Sequence, residues 1–263
     1  MRLFYFDDGM NSPNTFLEIC TASVADVLIA EQAGADRVEL NTALTLGGLT
    51  PSPGMVELAL QKSRLPVIAM VRPRESGFCY SESEFDTLLR DVRWLVEAGI
   101  SGIAFGVLTE QGTVDAPRCQ AVIEATTGQQ DIVFHRAFDL VSDMTQGLQT
   151  LIDCGVHRVM TSGGKRTAWE GRHQIAQLQK QSAGQIEILA AGGIRVNHVS
   201  DLIKETGVEQ IHAGLGDPDW DRSYQTDAQV NFYGALPENP AEYRKSSAER
   251  ILQMAQTLKS MSK

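Results

Sequence analysis

Short apolar or β-branched runs recur eight times along this chain, roughly 20 to 35 residues apart, with stretches of helical apolar spacing between them. The runs are Phe16 to Cys20, Arg37 to Asn41, Pro66 to Arg72, Gly102 to Leu108, Asp131 to Phe138, Arg158 to Ser162, Ile186 to Ala191 and Gln210 to Gly214. Phe85, Leu88, Leu89, Val92 and Val96 form one helical stripe, and Met144, Leu148, Leu151 and Ile152 a second. The joints at Gly34, Gly99 and Gly155 read Ala-Gly-Ala, Ala-Gly-Ile and Cys-Gly-Val, where glycine can take the left-handed conformation that ends a helix. An open doubly wound sheet usually carries five or six strands, so eight βα units predict a closed (β/α)8 TIM barrel of the α/β class. The whole chain, 1–263, then forms a single domain. An N-terminal extension (1–15) precedes the barrel, and a long loop (217–240) follows strand eight, before a last helix carrying Ala248, Ile251, Leu252, Ala255 and Leu258. That loop holds Trp220, Tyr224, Phe232 and Tyr233, which suit a lid, a subunit contact or packing on the barrel itself.

Composition narrows the partners. The net charge of −10 and the pI near 5.0 oppose binding to nucleic acid or an anionic membrane. No apolar run approaches the roughly 18 residues of a membrane span, and Asp7 and Asp8 interrupt the place of a signal peptide. A cytoplasmic protein is expected. Cys20, Cys79, Cys119 and Cys154 form no Cys-x-x-Cys pair and read as reduced thiols. A homo-oligomer is expected from the helix faces and the aromatic loop.

Chemistry in such a barrel gathers at the carboxyl ends of the strands, so side-chain alternation selects the candidates. Glu18 and Cys20 share one face of strand one, opposite Leu17 and Ile19. Glu39 and Asn41 oppose Val38 and Leu40 on strand two. Arg72, His135, Thr161 or Ser162, and His212 lie at the ends of strands three, five, six and eight. A carboxylate inside a barrel needs a partner, and Arg72, one strand away, is expected to pair with Glu39. Glu18, Glu39, Arg72, His135 and Asp139 are the candidate catalytic residues, with His135 as proton carrier, a glutamate as base, and Arg72 or Arg74 holding an anion. The same polar set could also be a satisfied core layer. Glycine turns after strands six and seven add Ser162, Gly163, Gly192 and Gly193, which with Arg74 form a candidate anion site. Tight turns alone could equally explain these glycines.

Arg37-Val38-Glu39-Leu40 continuing to Gly47-Gly48-Leu49-Thr50-Pro51-Ser52, Val71-Arg72-Pro73-Arg74 with Phe78-Cys79-Tyr80-Ser81, and Phe134-His135-Arg136-Ala137-Phe138-Asp139 together resemble the CutC copper homeostasis family. Thr161-Ser162-Gly163, Ala168-Trp169-Glu170-Gly171 and the Ala-Gly-Gly-Ile after strand seven extend the match over residues 16 to 216. The resemblance implies the same barrel and copper handling in the cytosol, with Cu(I) held by cysteine, whose soft thiolate selects that ion. Family members commonly carry a cysteine at the end of each of the first two strands. This chain has Cys20 at the first place and Asn41 at the second, so Cys20 is the one metal-ligand candidate. The family's Gly-Gly-Asp-Phe is altered to Glu75-Ser76-Gly77-Phe78, and strand eight reads Ile211-His212-Ala213-Gly214. Met70 and Met160 read as core, and His157, His173 and His198 as solvent-facing. Two classes stay open: a copper-binding protein of copper homeostasis, and an enzyme acting on a small anionic or sugar-like molecule at the barrel mouth.

Overall fold

Eight short parallel strands close on themselves: β1 (Phe16–Thr21), β2 (Arg37–Leu40), β3 (Val67–Met70), β4 (Gly102–Phe105), β5 (Asp131–Phe134), β6 (Arg158–Thr161), β7 (Glu187–Ala191) and β8 (Gln210–Ala213), with β8 pairing β1. Most of their residues are buried on both faces, as the continuous apolar runs require of a parallel sheet wrapped by helices. The structure, a computed structural model, describes residues 15–223 and 241–261. It is the expected TIM barrel in one domain.

The helices are α1 (Val24–Gln32), α2 (Pro53–Lys62), α3 (Glu82–Glu97), α4 (Ala116–Glu124), α5 (Met144–Cys154), α6 (Arg172–Ser182), α7 (Val196–Thr206) and α8 (Ala248–Met261). Their starts are written locally. Ser23, Ser52, Asp115 and Asp143 each accept a first-turn amide, and Ser81 with Glu84 forms a full capping box, such caps being worth on the order of 1 kcal/mol each. Gly34, Gly99 and Gly155 adopt φ of 89°, 87° and 82°, the left-handed exit expected at the joints. Of the expected stripe on α3, Phe85, Leu88 and Val92 are buried on the barrel and Leu89 and Val96 partly so, while Leu95, outside the stripe, is buried as well. Among the described residues no helix is long and apolar enough to cross a membrane.

Several expected boundaries differ: β3 stops at Met70 rather than Arg72 and β4 at Phe105 rather than Leu108, and two further changes are larger. β5 stops at Phe134, and Arg136–Leu140 wind into a short 3-10 turn for which the His135 side chain serves as N-cap. The stretch expected to be a loop after strand eight begins instead as β9 (Gly216–Trp220), antiparallel to β10 (Glu242–Ser246). Its sequence, Gly-Asp-Pro-Asp-Trp, has no apolar run to announce a strand. Cross-strand polar partners support the ribbon, with the Tyr243 hydroxyl donating to Asp219 Oδ2 at 3.1 Å. Trp220 is exposed at its tip end, whereas Tyr224, Phe232, Tyr233 and residues 1–14 lie outside the described residues.

The barrel interior is divided. Ile68, Ala104, Val133, Met160, Leu189 and Ala191, from β3 to β7, form a separate apolar cluster inside the ring. β1, β2 and β8 instead point Glu18, Arg37, Glu39 and His212 inward, and Glu18 lies directly between Arg37 and His212 in the strand register. All four are buried.

Candidate functional site

Period-two alternation places Glu18 and Cys20, then Arg37, Glu39 and Asn41, on the inner faces of adjacent strands. Arg37 Nε donates to Glu18 Oε2, and His212 Nδ1 donates to Glu18 Oε1 at 2.7 Å. Burial alone would raise the Glu18 carboxyl, but the two cationic neighbours outweigh it and hold it down at about 2. His212 is pushed the other way. Burial opposes its charge, yet Glu39, Cys20 and Glu18 lift it well above the ordinary imidazole value.

On the next layer Asn41 Nδ2 donates to Glu39 Oε2 at 2.9 Å, and the Cys20 thiol faces the same oxygen at 3.9 Å. Burial pushes both the Glu39 carboxyl and the Cys20 thiol up. His212 Nε2 is 3.8 Å from Glu39 Oε2. One donor atom each from Cys20, Glu39 and His212 therefore fall within 4.8 Å of one another. The ring of His212 is aimed by Glu18, the arrangement by which a second carboxylate orients an imidazole toward a metal.

The expected Glu39–Arg72 ion pair is not formed. Arg72 lies beyond the end of β3 and is gathered in by the Gly47–Gly48 turn: Nη1 donates to the carbonyls of Leu46 and Gly48, each at 3.1 Å, and Nη2 to Ser76 at 2.7 Å. Glu39 finds its cationic neighbour in His212 instead, and the interior arginine paired with a glutamate is Arg37. Gly48 is required for this turn, with φ of 85° and a position at which a Cβ would meet Asn41 Oδ1 at 2.4 Å. The guanidinium of Arg72 stacks on Phe78, 5.0 Å from the ring centroid, and no carboxylate among the described residues pairs with it.

His135 packs on the same Phe78, ring centroids 4.9 Å apart. Its Nδ1 accepts from the Ala137 amide at 3.1 Å, which places the proton on Nε2. Burial, then the Arg72 charge, lowers its pKa to about 3, so the ring is neutral. Gly106 leaves room for it, because a Cβ there would lie 2.4 Å from His135 Cε1.

A cavity of about 120 Å³ lies among these groups, lined by Cys20, Glu39, Asn41, Arg72, His135 and His212, with Leu44, Met70, Phe78 and Met160 as apolar wall. Four of the polar residues each keep one buried atom without a hydrogen-bond partner: Glu39 Oε1, Asn41 Oδ1, Arg72 Nε and His135 Nε2. Folded chains rarely leave such atoms unused, and sites that receive something are a common reason. The two methionines are core residues, as expected, and also border this space.

The expected anion cradle is filled from within. Asp139 Oδ1 accepts from the Thr161 hydroxyl at 2.6 Å, the Ser162 amide at 2.9 Å and the Gly164 amide at 3.1 Å, while Gly163 N donates to Thr161 Oγ1. The turn's amides thus hold the protein's own carboxylate, itself paired with Arg136. Arg74 is tied to Glu84 and to the carbonyls of Glu75, Gly77 and Cys79, away from the cavity. Gly192 packs beside Ser162 and Arg136, and Gly193 beside Thr167. Glu18, Cys20, Glu39, Arg72 and His135 are therefore brought together, whereas Asp139, Ser162, Gly163, Gly192, Gly193 and Arg74 belong to the surrounding frame. His212 was legible as a strand-end residue but not as the partner of Cys20, which depends on the β1–β8 register.

The family model described as the CutC family matches residues 15–216. A CutC family protein of Treponema denticola is 45% identical over 231 residues, covering 87% of this chain and 94% of the relative. One from Mesorhizobium japonicum is 38% identical over 226 residues, covering 80% and 87%. Among solved structures, a CutC protein of Streptococcus agalactiae, to which copper homeostasis is provisionally ascribed, matches with a TM-score of 0.72 at 30% identity, over 75% of this chain and 97% of that one. A phosphoribosylanthranilate isomerase of Thermotoga maritima matches at 0.54 and 11% identity, over 94% and 99% of the two chains, a likeness of fold alone.

Proposed function

We propose a function from one premise: this chain belongs to the CutC family. The protein binds one copper(I) ion as cargo at the barrel mouth, through Cys20 Sγ and His212 Nε2, with Glu39 beside them, as part of copper homeostasis. The observation that carries this reading is the convergence of those three donor groups within 4.8 Å, with the imidazole already oriented by Glu18. A thiolate and an imidazole are both donors that suit copper, and the thioethers of Met70 and Met160 on the cavity wall are of the same soft character. His212 supplies the second ligand that Asn41, at the end of the second strand, does not. The reading extends to the cytosol, where the thiols stay reduced, and to a homo-oligomer, testable by sedimentation.

The experiment is titration of the reduced, metal-free protein with Cu(I) against a competing chelator. Wild type is expected to hold one equivalent, and Cys20→Ser and His212→Ala each to weaken it at least tenfold. Equal affinity in all three proteins would remove the site.

A further inference from the structure

The cavity has unused groups that a copper ion on Cys20 and His212 leaves unsatisfied. His135 is 3% exposed, and its Nε2–H has no acceptor. Glu39, 2% exposed, leaves Oε1 without a donor, and Asn41 leaves Oδ1 so. Among the lining residues, His135 after β5 thus has a donor to spare, and Glu39 and Asn41 from β2 have acceptors to spare.

Charge adds a second, independent constraint. Arg37 and His212 balance Glu18 and Glu39, and Arg136 is balanced by Asp139. Arg72 remains. It is buried, it bonds three neutral carbonyls, and among the described residues it has no carboxylate partner. A buried charge is ordinarily paired, so the missing partner is one negative charge supplied from outside. The space is small: a cavity of about 150 Å³ holds one benzene, so about 120 Å³ suits a molecule of a few carbon atoms.

We propose that this cavity binds a small α-hydroxy carboxylate, its carboxylate on the His135 Nε2–H beside the Arg72 guanidinium and its hydroxyl donating to Glu39 Oε1 or Asn41 Oδ1. A mono-anion answers the charge of Arg72, and a hydroxyl one carbon away answers the acceptors opposite. A neutral zwitterion such as an amino acid leaves the charge count unbalanced, and a carboxylate without the hydroxyl leaves Glu39 Oε1 unused. The site does not rest on copper, since neither His135 nor Arg72 is a proposed ligand of the ion.

The test is calorimetric titration of the reduced, chelator-treated protein with D- and L-lactate, alongside propionate, lactamide and L-alanine. One lactate enantiomer is expected to bind at least tenfold more tightly than each of the other three. His135→Ala is expected to abolish that binding while the protein still melts cooperatively. The side-chain Nε2–H proton resonance of His135 in wild type is expected to move as lactate is added, a readout that needs no variant. Absence of lactate binding at millimolar concentration, equal binding of propionate, lactamide or alanine, or a stationary His135 resonance would overturn the proposal.

Discussion

Glu18 and His212 are 194 residues apart in sequence and joined by a 2.7 Å bond, carboxylate oxygen to ring nitrogen, across the seam where the last strand meets the first. The same carboxylate takes Arg37 on its other side. Two charged groups from neighbouring strands thus balance one buried acid, and the energetics of the barrel interior centre on it.

Removing one partner of that acid is expected to be costly. Arg37→Ala should destabilise the fold by roughly 3 to 5 kcal/mol, the usual penalty for a buried charge left without its partner. A double-mutant cycle by denaturant unfolding should give a coupling for Glu18 with Arg37 at least about 1 kcal/mol larger than for Glu39 with Arg72, two groups that make no ion pair. Equal couplings would contradict the observed pairing.

The buried histidines and carboxyls are expected to give stability a broad maximum between about pH 4.5 and 6.5. His135 has a folded pKa of about 3 against an ordinary 6.5, so the unfolded chain binds a proton the native state refuses and the His135 contribution falls as the solution becomes more acid than 6.5. Glu18, at about 2 against 4.5, steepens that acid limb below 4.5 and contributes about 3 kcal/mol that is lost as the pH falls toward 2. His212 is raised, so its contribution is complete below 6.5 and declines as the pH rises through its folded value; Glu39, also raised, loses its contribution from 4.5 upward and so offsets the rise due to His135 between 4.5 and 6.5. Urea midpoints across the range check this, and His135→Ala should leave stability declining from pH 4.5 upward, the loss from Glu39 being no longer offset.

Gly106→Ala is expected to cost about 1 to 3 kcal/mol by overpacking. The new methyl would lie 2.4 Å from His135 Cε1 and 2.5 Å from Ala137 Cβ, so the histidine must turn. Thermal unfolding gives the cost, and a shifted His135 ring resonance reports the turn.

Asp139→Ala should free the amides of Ser162 and Gly164 and the Thr161 hydroxyl at once, destabilising by about 2 to 4 kcal/mol. Formate, a carboxylate small enough to take the vacated place, should recover part of the melting temperature of this variant and leave wild type unaffected. No recovery would mean that the turn collapses without its internal anion.

Copper affinity at Cys20 and His212 should rise with pH. The thiol and the imidazole must each release a proton to bind the ion, and both hold theirs above the ordinary values. Competition titrations should show roughly tenfold tighter binding per pH unit for each proton released. A flat profile would argue against these ligands.

Much of this was legible before any coordinates. The eight runs located all eight strands, because strands buried on both faces leave continuous apolar segments, although β3, β4 and β5 end two, three and four residues before their runs do; alternation identified the inward face of β1 and β2. Pairing was harder. Arg37 shares parity with Glu39 and was available to the same argument, but which of two arginines meets which glutamate depends on strand register and on where a chain bends after its strand ends. Asp139 looked catalytic for the reason it is structural: a carboxylate beside free amides is a good ligand for them, and sequence does not say whose carboxylate will fill the turn. β9 carried no apolar signature at all.

The charged layer exists only when the ring is shut. A chain still lacking β8 already contains Glu18, Cys20, Arg37 and Glu39, yet it lacks the His212 imidazole that bonds Glu18. During synthesis the N-terminal strands therefore wait, their acids hydrated, for a histidine that emerges nearly two hundred residues later. No half-barrel fragment can carry this cluster, and a nascent chain cannot assemble it early: the three donor groups meet only with the final fastening of the fold.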